Sequence, residues 1–476
     1  MKILYATAES SPFIKTGGLA DVAGSLPFAL KKQGHDVRVV MPLYSGISKT
    51  YRKDMKKVGE FYIDLGWRHQ YVGVLSYIID YVTYYFIDNE YYFKRGNIYG
   101  EYDDGERFIY FNKAIAVMLK TLDFKVDIIH SNDWHTGLLP LYIQDFSGGD
   151  PFYKNMKTVH TIHNLKYQGV FPKWMLEDIA GLSMQYYNEG GVRFFDNMNM
   201  MKAGIVYSDA TITVSKTYAE EIQYSYYGEM LEDVIRGNRF KLQGIVNGID
   251  YDLFNPETDR NLLVNYNINT LEKKAENKIA LQKLYNLPIN KDVPVVAMVT
   301  RLVAMKGLDL VRHILHEMLQ EDIQFVLLGT GDQEYEDLFY YFQTQYPNKV
   351  ASRIYFNEKE SHLIYAGADI FLMPSLAEPC GISQLISLRY GTVPVVRETG
   401  GLKDTITPYN EYTNEGNGFS FQNQNAHELL FVIKLALQLY KDQEKWRQLQ
   451  IRGMESKNDW EQSSKEYTQL YKSLIT

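Results

Sequence analysis

The feature that most limits what this chain can fold into is its alternation of short, apolar, β-branched runs with longer segments of helical spacing. Such runs occur at Ile3–Ala8, Asp36–Val40, Val126–His130, Thr158–Ile162 and Ala210–Val214, and again at Val295–Thr300, Phe325–Leu328, Ile370–Met373 and Val393–Val396. Strand–helix alternation of this kind argues for right-handed βαβ units and parallel sheets. At 476 residues the chain is too long for one core, so two α/β domains are expected. The joint is placed near Val246-Asn247-Gly248-Ile249-Asp250, which divides 1–245 from 246–459. Tyr467, Leu470, Tyr471 and Leu474 have helical spacing in a final segment, 460–476, that can pack on either domain, a return to the first included. Phe61–Asn89 lacks helical spacing and reads as a β-hairpin excursion on the first domain.

The loop Lys15-Thr16-Gly17-Gly18-Leu19-Ala20-Asp21 follows the first strand and precedes a helix expected from about Ala20 to Lys32. Two glycines let backbone N–H groups come close to a ligand, and the helix N-terminus adds partial positive charge. Lys15 adds a full charge, so the loop suits phosphate. It is neither a Walker motif nor the dinucleotide fingerprint. Taken alone, it reads equally as an ordinary βα turn with a surface lysine.

Composition excludes several classes. The net charge is −8 and there is no basic run, so the electrostatic footprint of a nucleic-acid binder is missing. A single cysteine, Cys380, allows no intramolecular disulfide and no cysteine-based zinc cluster. No apolar run approaches the ~18–20 residues of a membrane span, and the N-terminus is too short of apolar residues for a signal peptide. A cytoplasmic protein with no membrane partner is expected. The 39 tyrosines offer rings that stack on sugars, although most are better explained by an Asn-, Lys- and Ile-rich composition.

The second half repeats the phosphate-site logic. Arg301 ends a strand and Lys306-Gly307 opens the next helix, two cations suited to a diphosphate leaving group. Leu328-Gly329-Thr330-Gly331-Asp332 is a glycine turn shared by many α/β folds. In Pro374-Ser375-Leu376-Ala377-Glu378-Pro379-Cys380-Gly381, Glu378 is a carboxylate at a strand–helix junction. Gly400-Gly401 makes a third glycine turn on the same edge.

Together these motifs resemble the bacterial glycogen (starch) synthases, retaining glycosyltransferases of family 5. The resemblance spans essentially the whole chain. It rests on Lys15–Asp21, His130-Ser131-Asn132-Asp133-Trp134-His135, Thr161-Ile162-His163-Asn164, Val246–Asp250, Arg301…Lys306-Gly307, Glu378-Pro379-Cys380-Gly381 and Tyr390-Gly391-Thr392…Thr399-Gly400-Gly401-Leu402. It implies a GT-B fold, two Rossmann-like domains facing a deep inter-domain cleft that closes on donor binding. It also implies transfer of glucose from ADP-glucose to the non-reducing end of an α-1,4-glucan such as glycogen, with retention of configuration and no cofactor. Arg301 and Lys306 would hold the donor diphosphate, helped by Lys15 and the Gly18 amide. The amides of Gly381, Ile382 and Ser383 would cap the distal phosphate. Glu378 would grip hydroxyls of the donor glucose, with His163 near the reacting centre and Asp21 as an essential acid. Asp133, Trp134 and Asn247 would shape the glucose and acceptor pocket, and Phe356 would stack on the base.

Read without the resemblance, His163 and His135 are equally buried core histidines, Trp134 a core residue and Asp21 a helix-capping acid. The charge requirement is met without a metal, since Arg301 and Lys306 stabilise the departing diphosphate, and no metal is expected. With no well-placed second carboxylate in view, attack on the same face as the leaving phosphate is preferred to a covalent intermediate. The chain departs from the family where Leu376-Ala377 stands for Arg-Phe, Met305 for glutamine and Thr300 for serine, changes that bear on efficiency and donor choice. Two other readings stand beside this one: another GT-B hexosyltransferase using UDP-glucose, and a weakly active glycan-binding paralogue.

Overall fold

In a computed structural model that describes residues 1–475, the chain divides into two units. The first comprises Met1–Asn247 with the segment from Trp460 onward, and the second comprises Gly248–Asp459. The chain therefore leaves the first unit at Asn247 and returns to it at Trp460.

The first unit is built on β1 (Lys2–Ala6), β2 (Asp36–Pro42), β3 (Lys56–Leu65), β4 (Arg68–Ile79), β5 (Val82–Asp88), β6 (Ile128–Asn132) and β7 (Lys157–Ile162). A small antiparallel sheet of β8 (Val170–Pro172), β9 (Arg193–Phe194) and β10 (Asn197–Asn199) interrupts the series before β11 (Ala210–Thr213) and β12 (Leu242–Gly244). The main sheet has nine strands in the order β12-β11-β7-β6-β1-β2-β5-β4-β3. Ile3 to Ala6 of β1 are completely buried, as expected of a parallel strand covered by helices on both faces. The helix Gly18–Lys32 buries Leu19, Val22, Ala23, Leu26 and Leu30 on one stripe, with Asp21 in its first turn and Lys31 and Lys32 in its last.

Two expectations need correction. The segment Phe61–Asn89 is not an excursion: β5 pairs in parallel with β2 and carries β4 and β3 as antiparallel extensions of the main sheet. Its Val82–Asp88 sequence is buried almost throughout, which suits an interior strand better than a free hairpin. The strand expected at Val126–His130 begins at Ile128 and ends at Asn132, so two polar residues lie inside the sheet. Ser131 donates to the Val159 carbonyl at 3.2 Å and Asn132 to the Ala6 carbonyl at 3.0 Å, which makes their burial tolerable.

The second unit holds a six-stranded parallel sheet of β13 (Val295–Val299), β14 (Gln324–Leu328), β15 (Val350–Arg353), β16 (Ile370–Met373), β17 (Val393–Arg397) and β18 (Phe419–Phe421). Their order is β15-β14-β13-β16-β17-β18. The edge strands β15 and β18, of four and three residues, are too short to stand out in the sequence. Among the described residues no helix is long and apolar enough to cross a membrane.

The helix Trp460–Ile475 completes the first unit. Gln33 donates to Ser464 Oγ at 2.6 Å, Thr468 Oγ1 donates to Gln33 Oε1 at 2.7 Å, and His35 meets Thr468 at 3.1 Å. Deeper in, the Tyr471 hydroxyl bonds His130 Nδ1 at 2.6 Å, while His130 Nε2 bonds Thr161 Oγ1 at 2.6 Å. Both rings are completely buried, and burial holds His130 well below its usual pKa and therefore neutral. Tyr471→Phe leaves that buried nitrogen without a partner and should cost about 1–3 kcal/mol. Thermal unfolding checks this, and an unchanged midpoint would show that the contact contributes nothing.

Candidate active site

In the first unit the strand order reverses beside β1, which has β2 on one side and β6 on the other. Loops leaving such neighbours diverge at their carboxyl ends and open a crevice there. The β1 loop contains Glu9, which is 3 % exposed. Its Oε2 accepts from the Thr16 amide at 2.6 Å and the Thr16 hydroxyl at 2.8 Å, and the Gly17 amide lies beside the carboxylate. Burial raises its pKa to about 6, against the lowering effect of these three donors. The helix starts at Gly18, two residues before its expected start, so the Gly18 amide belongs to the first turn and has no partner within the helix. Lys15 Nζ pairs with Asp21 Oδ1 at 2.6 Å on the open side of the loop.

The β6 loop begins at Asp133, a non-glycine residue with φ of +53°. Its Oδ1 accepts from the His163 amide at 2.7 Å and the Asn164 amide at 3.4 Å, which ties the ends of β6 and β7 together. Burial pushes this carboxyl up to about 7, with the Glu9 charge adding to the shift. His163 follows β7, and burial of its ring brings its pKa down to about 3, so it is neutral. Asn132 Oδ1 accepts from the Tyr5 hydroxyl at 2.9 Å and lies 2.8 Å from His163 Nε2. Since the Asn132 amide nitrogen donates to Ala6, that oxygen is an acceptor and His163 Nε2 must carry the proton. Nδ1 is then the basic nitrogen.

Trp134 is 8 % exposed and sits among His135, Phe108 and Phe171, with ring centroids 4.0, 5.0 and 5.6 Å away. It behaves here as a core residue beneath Asp133 and presents little open ring face. His135 is likewise buried, its pKa lowered to about 3 by burial, and Nδ1 has no hydrogen-bond partner among the described residues. Asn247, at the end of the first unit, is 5 % exposed and its Oδ1 also lacks a partner among the described residues. A buried amide oxygen in that state is an acceptor in want of a donor.

In the second unit the order reverses between β13 and β16, and the candidate groups sit in the loops after those two strands. Lys306 Nζ meets Glu378 Oε2 at 2.6 Å, and Ser375 donates to the same oxygen at 3.0 Å. Both charged side chains are mostly buried, at 17 % and 11 % exposure, whereas Arg301 is exposed. Gly307, with φ of +73°, lets the two loops touch: a Cβ there would lie 2.0 Å from the Pro374 carbonyl oxygen. Gly400, with φ of +46°, does the same beneath Glu378, whose carbonyl oxygen would lie 1.9 Å from a Cβ. The Leu376 amide donates to the Met305 carbonyl at 2.8 Å, and the buried Arg397 donates to the Ser375 and Leu376 carbonyls at 2.9 and 2.5 Å. Two of the three departures, Met305 and Leu376, are thus joined through backbone, and the Glu378 loop is held by Arg397 with Leu376-Ala377 before it.

Phe356 lies just beyond β15 with its ring 69 % exposed. Gly381 has φ of +74°, and Ile382 and Ser383 follow at the start of the short helix Ser383–Arg389. Cys380 is buried. Among the described residues no group of three or more His, Cys, Asp or Glu side chains is arranged to hold a metal ion. An expectation that the chain has no Asp-x-Asp motif is wrong as to sequence, since Asp250-Tyr251-Asp252 is one. Asp250 Oδ1 accepts from the Asp252 and Leu253 amides at 2.8 and 3.2 Å, closing a turn.

Sequence reasoning singled out Lys15, Asp133, His163, Arg301, Lys306 and Glu378 and gave no part to Glu9, Asn132, Tyr5 and Arg397. The first three of these belong to β1, its loop and β6; polar residues there point inward to one another, which periodicity does not reveal.

Residues 2–237 match the starch synthase catalytic domain family, and residues 283–451 match the glycosyl transferases group 1 family. Over the full length of both chains, this one is 56 % identical to a glycogen synthase of Finegoldia magna. It is 51 % identical to that of Geobacillus stearothermophilus, with 100 % of this chain and 98 % of the relative covered. The catalytic domain of starch synthase IV from Arabidopsis thaliana, solved with ADP and acarbose bound, superposes with a TM-score of 0.92 at 32 % identity, covering 100 % of this chain and 99 % of the other.

The raised Asp133 pKa has a consequence for stability. Above its ordinary pKa of 3.8 the unfolded chain releases this proton while the folded one keeps it up to about 7, so the folded state loses stability over that interval as pH rises. Asp133→Asn keeps the amide-accepting oxygen and removes the titration. The variant should be more stable than the parent at pH 8, by on the order of 4 kcal/mol, and approach it near pH 4, as read from thermal unfolding at the two pH values. A variant no more stable at pH 8 would contradict the buried-carboxyl account.

Proposed function

The chain belongs to the glycogen and starch synthases, two-domain glycosyltransferases of the GT-B fold, and on that premise we propose that it moves glucose from ADP-glucose to the non-reducing end of an α-1,4-glucan, with retention of configuration and release of ADP. The observation that carries the proposal is the Lys306–Glu378 pair at the reversal point of the second sheet, with exposed Arg301 on the same loop. Breaking a glucosyl–phosphate bond places negative charge on the departing diphosphate, and preorganised cations stabilise it without reorganising as it forms. Arg301 and Lys306 have that role, with Lys15, the Gly18 amide and the amides of Gly381, Ile382 and Ser383 as further donors to phosphate oxygens.

Glu378 binds hydroxyls of the donor glucose. Its Oε2 is already engaged by Lys306 and Ser375, which leaves Oε1 for the sugar. Neutral His163 acts beside the reacting centre as a hydrogen-bonding group rather than as a cation. Asp133, with Trp134 supporting it from the core, and the unpartnered Asn247 oxygen form polar contacts to glucose and acceptor. Asp21 holds Lys15 until a phosphate competes for it. The acceptor hydroxyl attacks on the face the diphosphate leaves, its proton passing to a phosphate oxygen, so that configuration is kept and no enzyme carboxylate is consumed. The exposed Phe356 ring stacks on the base, and ADP rather than UDP is preferred by analogy with the ADP-bound starch synthase. A single cysteine suits work in the cytoplasm.

Nucleotide release from ADP-glucose and from UDP-glucose, each with and without glycogen, tests the proposal. Glycogen-dependent ADP release is expected. UDP release instead would transfer the mechanism to another donor, and glycogen binding without release from either would sink the transferase reading. In the same assay Lys306→Ala should lower turnover about 100-fold or more while leaving glycogen binding intact. Near-normal turnover would remove Lys306 from the diphosphate site.

A further inference from the structure

Glu9 is, with Asp133, one of two deeply buried acids at this end of the first sheet. It is 3 % exposed, and among the described residues it forms no ion pair. Two donors from its own loop converge on one carboxylate oxygen, the Thr16 amide and the Thr16 hydroxyl, and the Gly17 amide lies beside the carboxylate. Its backbone is fixed as well, since the Thr7 hydroxyl donates to the Glu9 carbonyl at 2.8 Å. A buried carboxylate is costly unless hydrogen-bonded, and an ionised carboxylate oxygen is the acceptor that two converging donors call for. The residues it ties down lie between Lys15 and Gly18, the side chain and the amide assigned above to the donor's phosphates.

We infer that Glu9 is a positioning residue for donor binding: its carboxylate fixes the Thr16–Gly17 turn and so sets where Lys15 and the Gly18 amide meet the diphosphate. This rests on the phosphate role proposed for Lys15. Glu9 acts from beneath the loop and does not touch the substrate. Asp21, which pairs with Lys15, adds its charge to the Glu9 environment. The carboxylate thus lies under a turn whose upper surface carries the cation.

Replacement by glutamine isolates the effect. The amide oxygen can still accept from Thr16, but without the negative charge it holds the two donors less tightly, and the turn loosens just before the helix. Steady-state kinetics of glycogen-dependent ADP release should show the ADP-glucose KM of Glu9→Gln raised about tenfold, as for one buried hydrogen bond lost. The glycogen KM and the far-UV circular dichroism should stay at the parent values. In a Lys15→Ala background the same substitution should change the donor KM less than about twofold, because the group it positions is gone. Thr16→Ala, which removes only the hydroxyl donor, should raise the donor KM to a smaller extent and likewise lose its effect beside Lys15→Ala. Full additivity with Lys15→Ala, or a raised glycogen KM instead, would overturn the inference. So would an unchanged donor KM in Glu9→Gln where Lys15→Ala alone raises it. If Lys15→Ala itself leaves the donor KM unchanged, the phosphate role of Lys15 fails, and the inference with it.

Discussion

Where a parallel sheet changes its direction of winding, the loops leaving two adjacent strands turn to opposite faces, and no crossover helix fills the space between their carboxyl ends. Both sheets have such a place: between β1 and β6 in the first unit, and between β13 and β16 in the second. Nearly every candidate group hangs from it. Glu9 and Lys15 follow β1, Asp133 follows β6, Arg301 and Lys306 follow β13, and Glu378 follows β16. The strands are anchored by apolar residues buried on both faces, so the loops begin from fixed points, and short polar contacts then decide where each side chain goes.

The two units manage buried charge differently. Glu378 is compensated by a cation and a hydroxyl, which meet on one of its two oxygens. Asp133 has only backbone amides for company and lies near a second buried acid, so burial raises its pKa. His163, His160 and His135 all sit in the first unit with pKa values lowered to about 3 by burial, which makes them neutral hydrogen-bonding groups. At the loops after β1, β6 and β7 the charged cation among the candidate groups is therefore Lys15, whereas the loop after β13 carries both Arg301 and Lys306.

Much of this was legible in the sequence because parallel strands covered on both faces must be apolar throughout. Val295–Val299 and Ile370–Met373 announce themselves in that way. The short edge strands do not, since Val350–Arg353 and Phe419–Phe421 contain too few residues to set a period. Nor did the sequence show that Val82–Asp88 joins the main sheet, because parallel pairing to a strand about forty residues earlier leaves no local trace. At the site, glycines and cations at loop starts could be read from their chemistry and order. Glu9 and Asn132 could not: an acid in a loop resembles a solvated residue, and an asparagine in a strand resembles a mistake, until their partners are known. Trp134 illustrates the reverse, an aromatic beside a catalytic motif whose ring proves to be packed inside.

The return of the last helix to the first unit has a consequence for the order in which the protein can be finished. A ribosome makes the whole of Gly248–Asp459 before Trp460–Ile475 exists. Until then the Gln33–His35 edge of the first helix and the His130 nitrogen lack the side chains that cover them. The unit that is begun first during synthesis is thus the last to close, and its nascent form spends the translation of more than two hundred residues with that face uncovered. The nascent chain is most exposed to misassembly there, at a surface far from the glycine loop, and a chaperone that shields it would act on the incomplete first unit rather than on the second.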